Sequence, residues 1–167
     1  MTLTSLPNPL TPGQTVFYGR YRLERLLGRG GMGDVWQVED VELDRHRALK
    51  FISGVYDDEA VSMQKLRREA ASTQLLTHEH IVRTFDLVRD PHLAAIAMEF
   101  IDGATLKELQ TCQPNGRFHV LEIRDWIEQW CHAMAYAHAH DVVHLDLKPA
   151  NLMVNCCGQL KVTDFGI

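Results

Sequence analysis

Three glycines, Gly28, Gly30 and Gly33, stand between two apolar runs with strand rhythm, and this arrangement constrains the fold more than any other feature of the chain. Tyr21, Leu23 and, after a slip of register, Leu26 and Leu27 lead into the glycines; Val35, Trp36 and Val38 resume after them. A Walker-type phosphate loop needs Lys and then Ser or Thr after the last glycine, where Asp34 and Val35 stand here. A dinucleotide-binding fingerprint must open a helix, yet Asp34–Val38 alternates like a strand. Strand, glycine turn, strand is the geometry that remains. Bare glycines can simply mark a tight turn. They also let a hairpin fold over the phosphates of a nucleotide, because backbone without side chains approaches closely.

The rest of the chain divides by period. Ala48–Ile52 is a third short apolar segment, and no crossover helix fits between the first three strands, so they read as an antiparallel meander. Asp58–Leu76 is rich in helix formers, with Met63, Leu66, Ala70 and Leu76 on one broad stripe and Asp57 or Asp58 placed to cap it. Strands return at Ile81–Val88 and Leu93–Met98 around an Arg89-Asp90-Pro91-His92 turn. Five antiparallel strands and one helix make a small α+β lobe over 20–98. Residues 1–19 read as a flexible leader: the start carries Pro7, Pro9 and Pro12 and has no basic region or apolar core of an export signal. After a linker at 99–103 the chain turns helical: Leu106–Gln113, ended by Pro114-Asn115-Gly116, and then Leu121–His140. Val142–Leu147 is a short strand or loop, and Leu152–Val154 with Leu160–Thr163 forms a hairpin. No internal repeat is visible.

Composition excludes several partner classes. Of 167 residues, 46% are hydrophobic and 23% charged, and 17 basic against 22 acidic residues leave a net charge of −5, so neither nucleic acid nor an anionic membrane is expected to bind. The most apolar stretch after the leader, Leu93–Met98, is far shorter than the ~20 residues a spanning helix needs. Cys112, Cys131, Cys156 and Cys157 form no CxxC pair and suggest a reducing cytoplasm; the adjacent pair in the hairpin turn reads as incidental.

Lys50 lies inside an apolar strand, where lysine either snorkels to water or meets a carboxylate. Glu69 is the matching anomaly: at ~100° per residue it lies about 60° from Leu66 and about 20° from Leu76, on the apolar face of its helix. An ion pair explains both; Glu59 is the other partner considered, though a helix start favours acids anyway.

The densest chemical signal is His144-Leu145-Asp146-Leu147-Lys148-Pro149-Ala150-Asn151, followed after the hairpin by Asp164-Phe165-Gly166. One Asp to accept a hydroxyl proton, one Lys to steady a transferring phosphoryl group, and Asn with Asp as oxygen ligands for Mg²⁺ form a coherent set for phosphotransfer. In order and spacing, from Gly28 to Gly166, these motifs resemble the N-terminal part of a eukaryotic-type protein kinase domain of the bacterial serine/threonine kind. The resemblance implies an α+β protein-kinase-like fold with a complete small lobe and the first part of a mainly helical larger lobe, 104–167. It implies ATP and Mg²⁺ as cofactors and protein serine or threonine hydroxyls as acceptors. By the same resemblance Gly28, Gly30, Gly33 and Val35 cover the phosphates, Lys50 positions ATP and Glu69 pairs with it. Leu27, Ala48, Met98 (the gatekeeper position) and the hinge from Glu99 to Ile101 meet the nucleotide. Asp146 is the catalytic aspartate, Lys148 its neighbour in phosphotransfer, and Asn151 and Asp164 hold the metal.

Two departures matter. Leu145 stands where the family usually has Arg, which puts control by activation-loop phosphorylation in doubt. The chain also ends one residue past Gly166, before an activation segment, so the expectation is a marginally stable piece without turnover of its own. A nucleotide-binding regulatory module without phosphotransfer is the alternative. His138, His140 and His144 are close in sequence, but the first two share no helical face, and a zinc site is not expected. Trp126 and Trp130 share a helix flank and read as packing. Trp36, facing opposite to Val35, is expected on the outer side of the small sheet.

Overall fold

The computed structural model describes residues 10–30, 33–52 and 73–165. The chain separates into two compact units, Met1–Ala70 with Thr84–Phe100, and Ala71–Arg83 with Ile101–Ile167.

The first unit is a six-stranded sheet in the order β1-β2-β3-β4-β6-β5, every neighbour antiparallel. Its strands are β1 (Thr15–Val16), β2 (Tyr21–Gly30), β3 (Gly33–Asp40), β4 (Arg45–Phe51), β5 (Thr84–Arg89) and β6 (Ala94–Glu99). The five strands expected from the sequence are present, and β1 is an addition. Within the expected leader Thr15–Val16 pairs with β2 and Leu10 packs against the core. Val16 and Phe17 are buried, with the Phe17 ring stacked on Phe51 at 6.0 Å and edge-on to Tyr21 at 6.2 Å. Aromatic pairs of this kind contribute about 0.5–1.5 kcal/mol each beyond burial, enough to hold a two-residue strand.

Trp36 corrects a second expectation. It does face away from Val35, but that side of the sheet is a core, where it is buried with Leu23, Val38, Leu49, Phe51 and Ala97. Alternation separates two faces; it does not say which is covered, and here both are, since Lys50, Ile96 and Met98 on the opposite face are buried too. The expected helix over 58–76 lies almost wholly outside the described residues. The strand expected to start at Ile81 starts at Thr84. Residues 71–83 belong to the second unit, where Leu76 and Ile81 enter the core and Ile81 makes a lone parallel bridge to Val162.

The second unit contains β7 (Gly103–Thr105), α1 (Leu106–Thr111), α2 (Arg124–Ala139), β8 (Leu152–Asn155) and β9 (Leu160–Val162), with 3-10 turns at Pro114–Gly116 and Pro149–Asn151. Part of the expected 99–103 linker is therefore sheet: β7 pairs antiparallel with β8, and a Cβ on Gly103 would stand 2.1 Å from the Val154 carbonyl oxygen, so only glycine allows that approach. Thr105 caps α1 reciprocally: its hydroxyl accepts from Glu108 N at 3.2 Å, and Glu108 Oε2 accepts from Thr105 N at 2.7 Å. The long helix is shorter than expected, because Leu121 and Ile123 precede its first turn. Ala133, Met134 and Ala137 on α2 pack with Leu76, Leu152, Leu160 and Val162 as the core of this unit. Trp126 and Trp130 pack against its edge, as expected.

Candidate active site

The sheet of the first unit aligns the expected nucleotide-binding residues through register alone. Val35 pairs with Lys50 and Lys50 with Ile96; Gln37 pairs with Ala48 and Ala48 with Met98. Directly paired residues share a face, and so do residues two apart on a strand, so Val35, Ala48, Lys50, Ile96 and Met98 form one patch. Lys50 is buried within it. Gly28 is the strand partner of Val35, and Gly30 and Gly33 close the β2–β3 hairpin. Gly33 has a φ of +133°, and a Cβ there would lie 1.8 Å from the Phe51 carbonyl oxygen. Its glycine is therefore required by the turn itself, whatever lies over it. Leu27 falls at a register shift of β2 and is exposed. Glu99 closes β6, and Ile101, two residues on, is buried. Glu69, and with it the expected ion pair to Lys50, lies outside the described residues.

In the second unit a single loop gathers the polar residues. Pro149 starts the 3-10 turn Pro149–Asn151, which directs Asn151 back onto the loop. Lys148 Nζ donates to Asp146 Oδ2 at 2.6 Å, and Asn151 Nδ2 donates to the Asp146 carbonyl at 2.9 Å and to Oδ2 at 3.3 Å. The Asp146 side chain is nonetheless 54% exposed, and so remains open to a reactant. The Lys148 hydrogen bond holds the Asp146 carboxyl below its ordinary value, with the lysine charge and the Asn151 amide adding to it. It is a carboxylate at neutral pH.

Beneath the loop His144 acts as the hub. It is buried, Nε2 lies 2.8 Å from the Thr163 carbonyl, and the ring packs 4.6 Å from that of Phe165. A carbonyl only accepts, so Nε2 carries the proton, and Nδ1 is then the acceptor for Asp146 N–H at 3.3 Å. Thr163 N donates to the Asn151 carbonyl at 3.0 Å. One residue past that bridge stands Asp164, at a φ of +60°. The backbone thus brings Asn151 and Asp164 to neighbouring positions. Spending Nδ2 of Asn151 on Asp146 leaves its Oδ1 as a neutral oxygen donor, and with the Asp164 carboxylate this is the hard oxygen set that suits Mg²⁺. Thr163 was not singled out from the sequence. It works through backbone atoms, which carry no side-chain signal.

His140 and His144 are held by different partners: His140 Nδ1 bonds the Tyr136 carbonyl at 2.8 Å and its ring lies tilted against Tyr136 at 4.2 Å, while His144 is held by Thr163.

The family model described as the protein kinase domain matches residues 21–167. The chain belongs to the protein kinase family. Among its relatives, serine/threonine-protein kinase PrkC of Bacillus subtilis (strain 168) is 41% identical over 149 residues, covering 89% of this chain and 23% of that protein. Serine/threonine-protein kinase PknA of Mycobacterium tuberculosis is 35% identical over 154 residues, covering 89% of this chain and 35% of that protein. The kinase domain of Mycobacterium tuberculosis PknI superposes with a TM-score of 0.80 at 26% identity, over 95% of this chain and 64% of that domain. This kinase-family chain therefore spans only about a quarter to a third of the length of these curated relatives. The fold is that of a protein kinase, consistent with a small lobe and the beginning of the larger one.

Proposed function

We propose that this chain provides the ATP-binding and phosphoryl-transfer residues of a serine/threonine protein kinase. The reading rests on one observation above the others: the exposed Asp146 carboxylate, held ionised by Lys148 and braced by Asn151, within a loop tied to Thr163, the residue before Asp164. Mg·ATP, when bound, supplies the phosphoryl group and the charge that neutralises it. Asp146 accepts the proton of the serine or threonine hydroxyl, its low proton affinity keeping it ready as a base at neutral pH. Lys148 sits beside that oxygen as a compact cation, suited to the charge that develops on the group in transit. Asn151 Oδ1 and the Asp164 carboxylate hold the cation. Lys50, on the buried face with Val35, Ala48 and Met98, holds the phosphates. Acceptors are proteins with serine or threonine hydroxyls, and four exposed free cysteines suit a reducing, cytoplasmic setting.

Two measurements test the reading. Calorimetric binding of Mg·ATP to the chain should weaken in Lys50→Met and in Asp164→Ala. Transfer of labelled phosphate to a basic acceptor protein by the whole gene product should disappear in Asp146→Asn. Undiminished transfer by that variant would overturn the assignment of Asp146, and a chain that binds no Mg·ATP would overturn the reading altogether.

A further inference from the structure

The row of the sheet that holds Ala48 and Met98 continues outward: Arg25 pairs with Gln37, Gln37 with Ala48 and Ala48 with Met98. His46, two residues before Ala48 on β4, shares its face. Phe100 directly follows the Arg47–Glu99 pair that closes β6, which carries it to the level of His46. On this side a closed circuit of side chains joins β2, β3 and β4 to Phe100. Arg25 Nε donates to Gln37 Oε1 at 2.7 Å, and Gln37 Nε2 donates to Glu24 Oε2 at 2.6 Å. The same carboxylate oxygen lies 3.0 Å from His46 Nδ1. A carboxylate only accepts, so Nδ1 carries a proton. The His46 ring meets the Phe100 ring edge-on at 6.3 Å, and the Arg25 guanidinium stands 5.9 Å from the Phe100 centroid, within cation–π range. Both ends of the Gln37 amide are engaged, which fixes its orientation and steers Arg25 onto the ring. Sheet pairing of β6 ends at Glu99, and the gripped ring extends the hold on the chain by one residue.

The circuit lies at one end of the patch to which ATP binding is assigned above. A strand rises ~3.4 Å per residue, so along β4 Ala48 stands about 7 Å from Lys50 and His46 about 14 Å. With the phosphates at Lys50, the base falls at the row of Ala48 and Met98, and the circuit borders it on the far side. We infer that Phe100 is a positioning residue for the base: gripped by Arg25 and His46, its ring holds the backbone that follows Met98 in place against the base. The inference rests on the ATP-binding reading. Phe100 touches no reacting atom and acts through the backbone N–H and C=O groups of Glu99 and Phe100. Such groups read the edge of a purine only where their spacing is fixed, and an error of ~1 Å costs up to ~100-fold. Adenine carries a donor where guanine carries an acceptor, so a loosened backbone loses discrimination between the two as well as affinity.

Steady-state kinetics of the whole gene product with Mg·ATP and with Mg·GTP test this. Phe100→Ala should raise KM for ATP about tenfold, leave kcat within about twofold and shrink the ratio of kcat/KM for ATP over GTP. Phe100→Tyr, which keeps the ring, should restore all three. Arg25→Gln and His46→Gln, at exposed positions that spare the ring, should each raise KM for ATP about threefold. They carry the test if circular dichroism shows Phe100→Ala to be unfolded. An unmoved KM, or a lower melting temperature with an unmoved ATP-to-GTP ratio, would overturn the inference in favour of plain packing. A kcat that falls as far as KM rises would overturn it in favour of a role in the chemistry. A wild-type chain that binds no Mg·ATP in the calorimeter overturns the ATP-binding reading and this inference together. Normal wild-type binding with an unmoved Phe100→Ala overturns this inference alone.

Discussion

Replacing His144 separates the two jobs its ring performs. In His144→Phe an aromatic ring remains to pack on Phe165, now 4.6 Å away, but the donor to the Thr163 carbonyl is lost. Asp146 N–H loses Nδ1 yet keeps its second acceptor, the His144 carbonyl at 2.9 Å. One part-buried acceptor therefore loses its donor, which costs about 1–3 kcal/mol at most. His144→Ala removes the ring as well, and deleting a buried aromatic side chain costs about 3–5 kcal/mol once the cavity is included. Both variants lose the donor and only alanine loses the ring, so the alanine variant should be the less stable by about 3–5 kcal/mol. Urea unfolding of the chain, followed by far-UV circular dichroism and extrapolated linearly to water, resolves that difference. A phenylalanine variant as stable as wild type would refute the hydrogen-bond account. Two variants of equal stability would refute the packing account. In the whole gene product, His144→Phe should also lower phosphotransfer, because Thr163 and Asp146 would no longer be joined through one ring.

Arg20→Ala should destabilise the first unit by on the order of 3 kcal/mol, because Asp40 is buried and Arg20 donates to both of its oxygens, at 3.0 and 3.4 Å; thermal unfolding measures it. Gly33→Ala forces a side chain onto a φ of +133° and onto the Phe51 carbonyl, and should lower the melting temperature, whereas Gly28→Ala, with open space around it, should not. Lys148→Met should raise the midpoint of the Asp146 carboxyl titration towards the ordinary value of about 4, observed by carbon NMR. The sign follows from the depressed value in the folded chain. The stabilisation that Asp146 contributes is present above its unfolded pKa and disappears as pH falls through the folded one, and in Lys148→Met that acid-side loss should shrink.

Much of the site was legible because its chemistry is local in sequence. Asp146, Lys148 and Asn151 fall within six positions, and Pro149 turns the chain so that they meet; the structure joins them by hydrogen bonds of 2.6–3.3 Å. Lys50 stood out because a lysine among Ala48, Leu49, Phe51 and Ile52 has few physical excuses. The hub under the loop was harder to see. The partner of His144 is a carbonyl nineteen positions away, and backbone atoms look alike at every residue.

What the amino-acid order determined by itself is periodicity and punctuation: the strand runs between Tyr21 and Met98, the two helical stretches after Gly103, the hairpin beyond Leu152, a glycine hairpin that fits neither a Walker loop nor a dinucleotide turn, and a polar loop bracketed by apolar runs. These depend on residues within a few positions of one another. Tertiary structure decided which faces are covered and where segments of mixed character go. Trp36 is buried because Leu23, Leu49 and Phe51 arrive on its side of the sheet, and Val16 is strand because Phe17 finds the Phe51 and Tyr21 rings. Ile81 left the expected strand for the core formed by Ala133, Leu160 and Val162, and Gly103 became sheet because β8 passes close enough to exclude a side chain. In each case the deciding atoms lie far along the chain, and burial is a property of the assembled surface, which no local pattern contains.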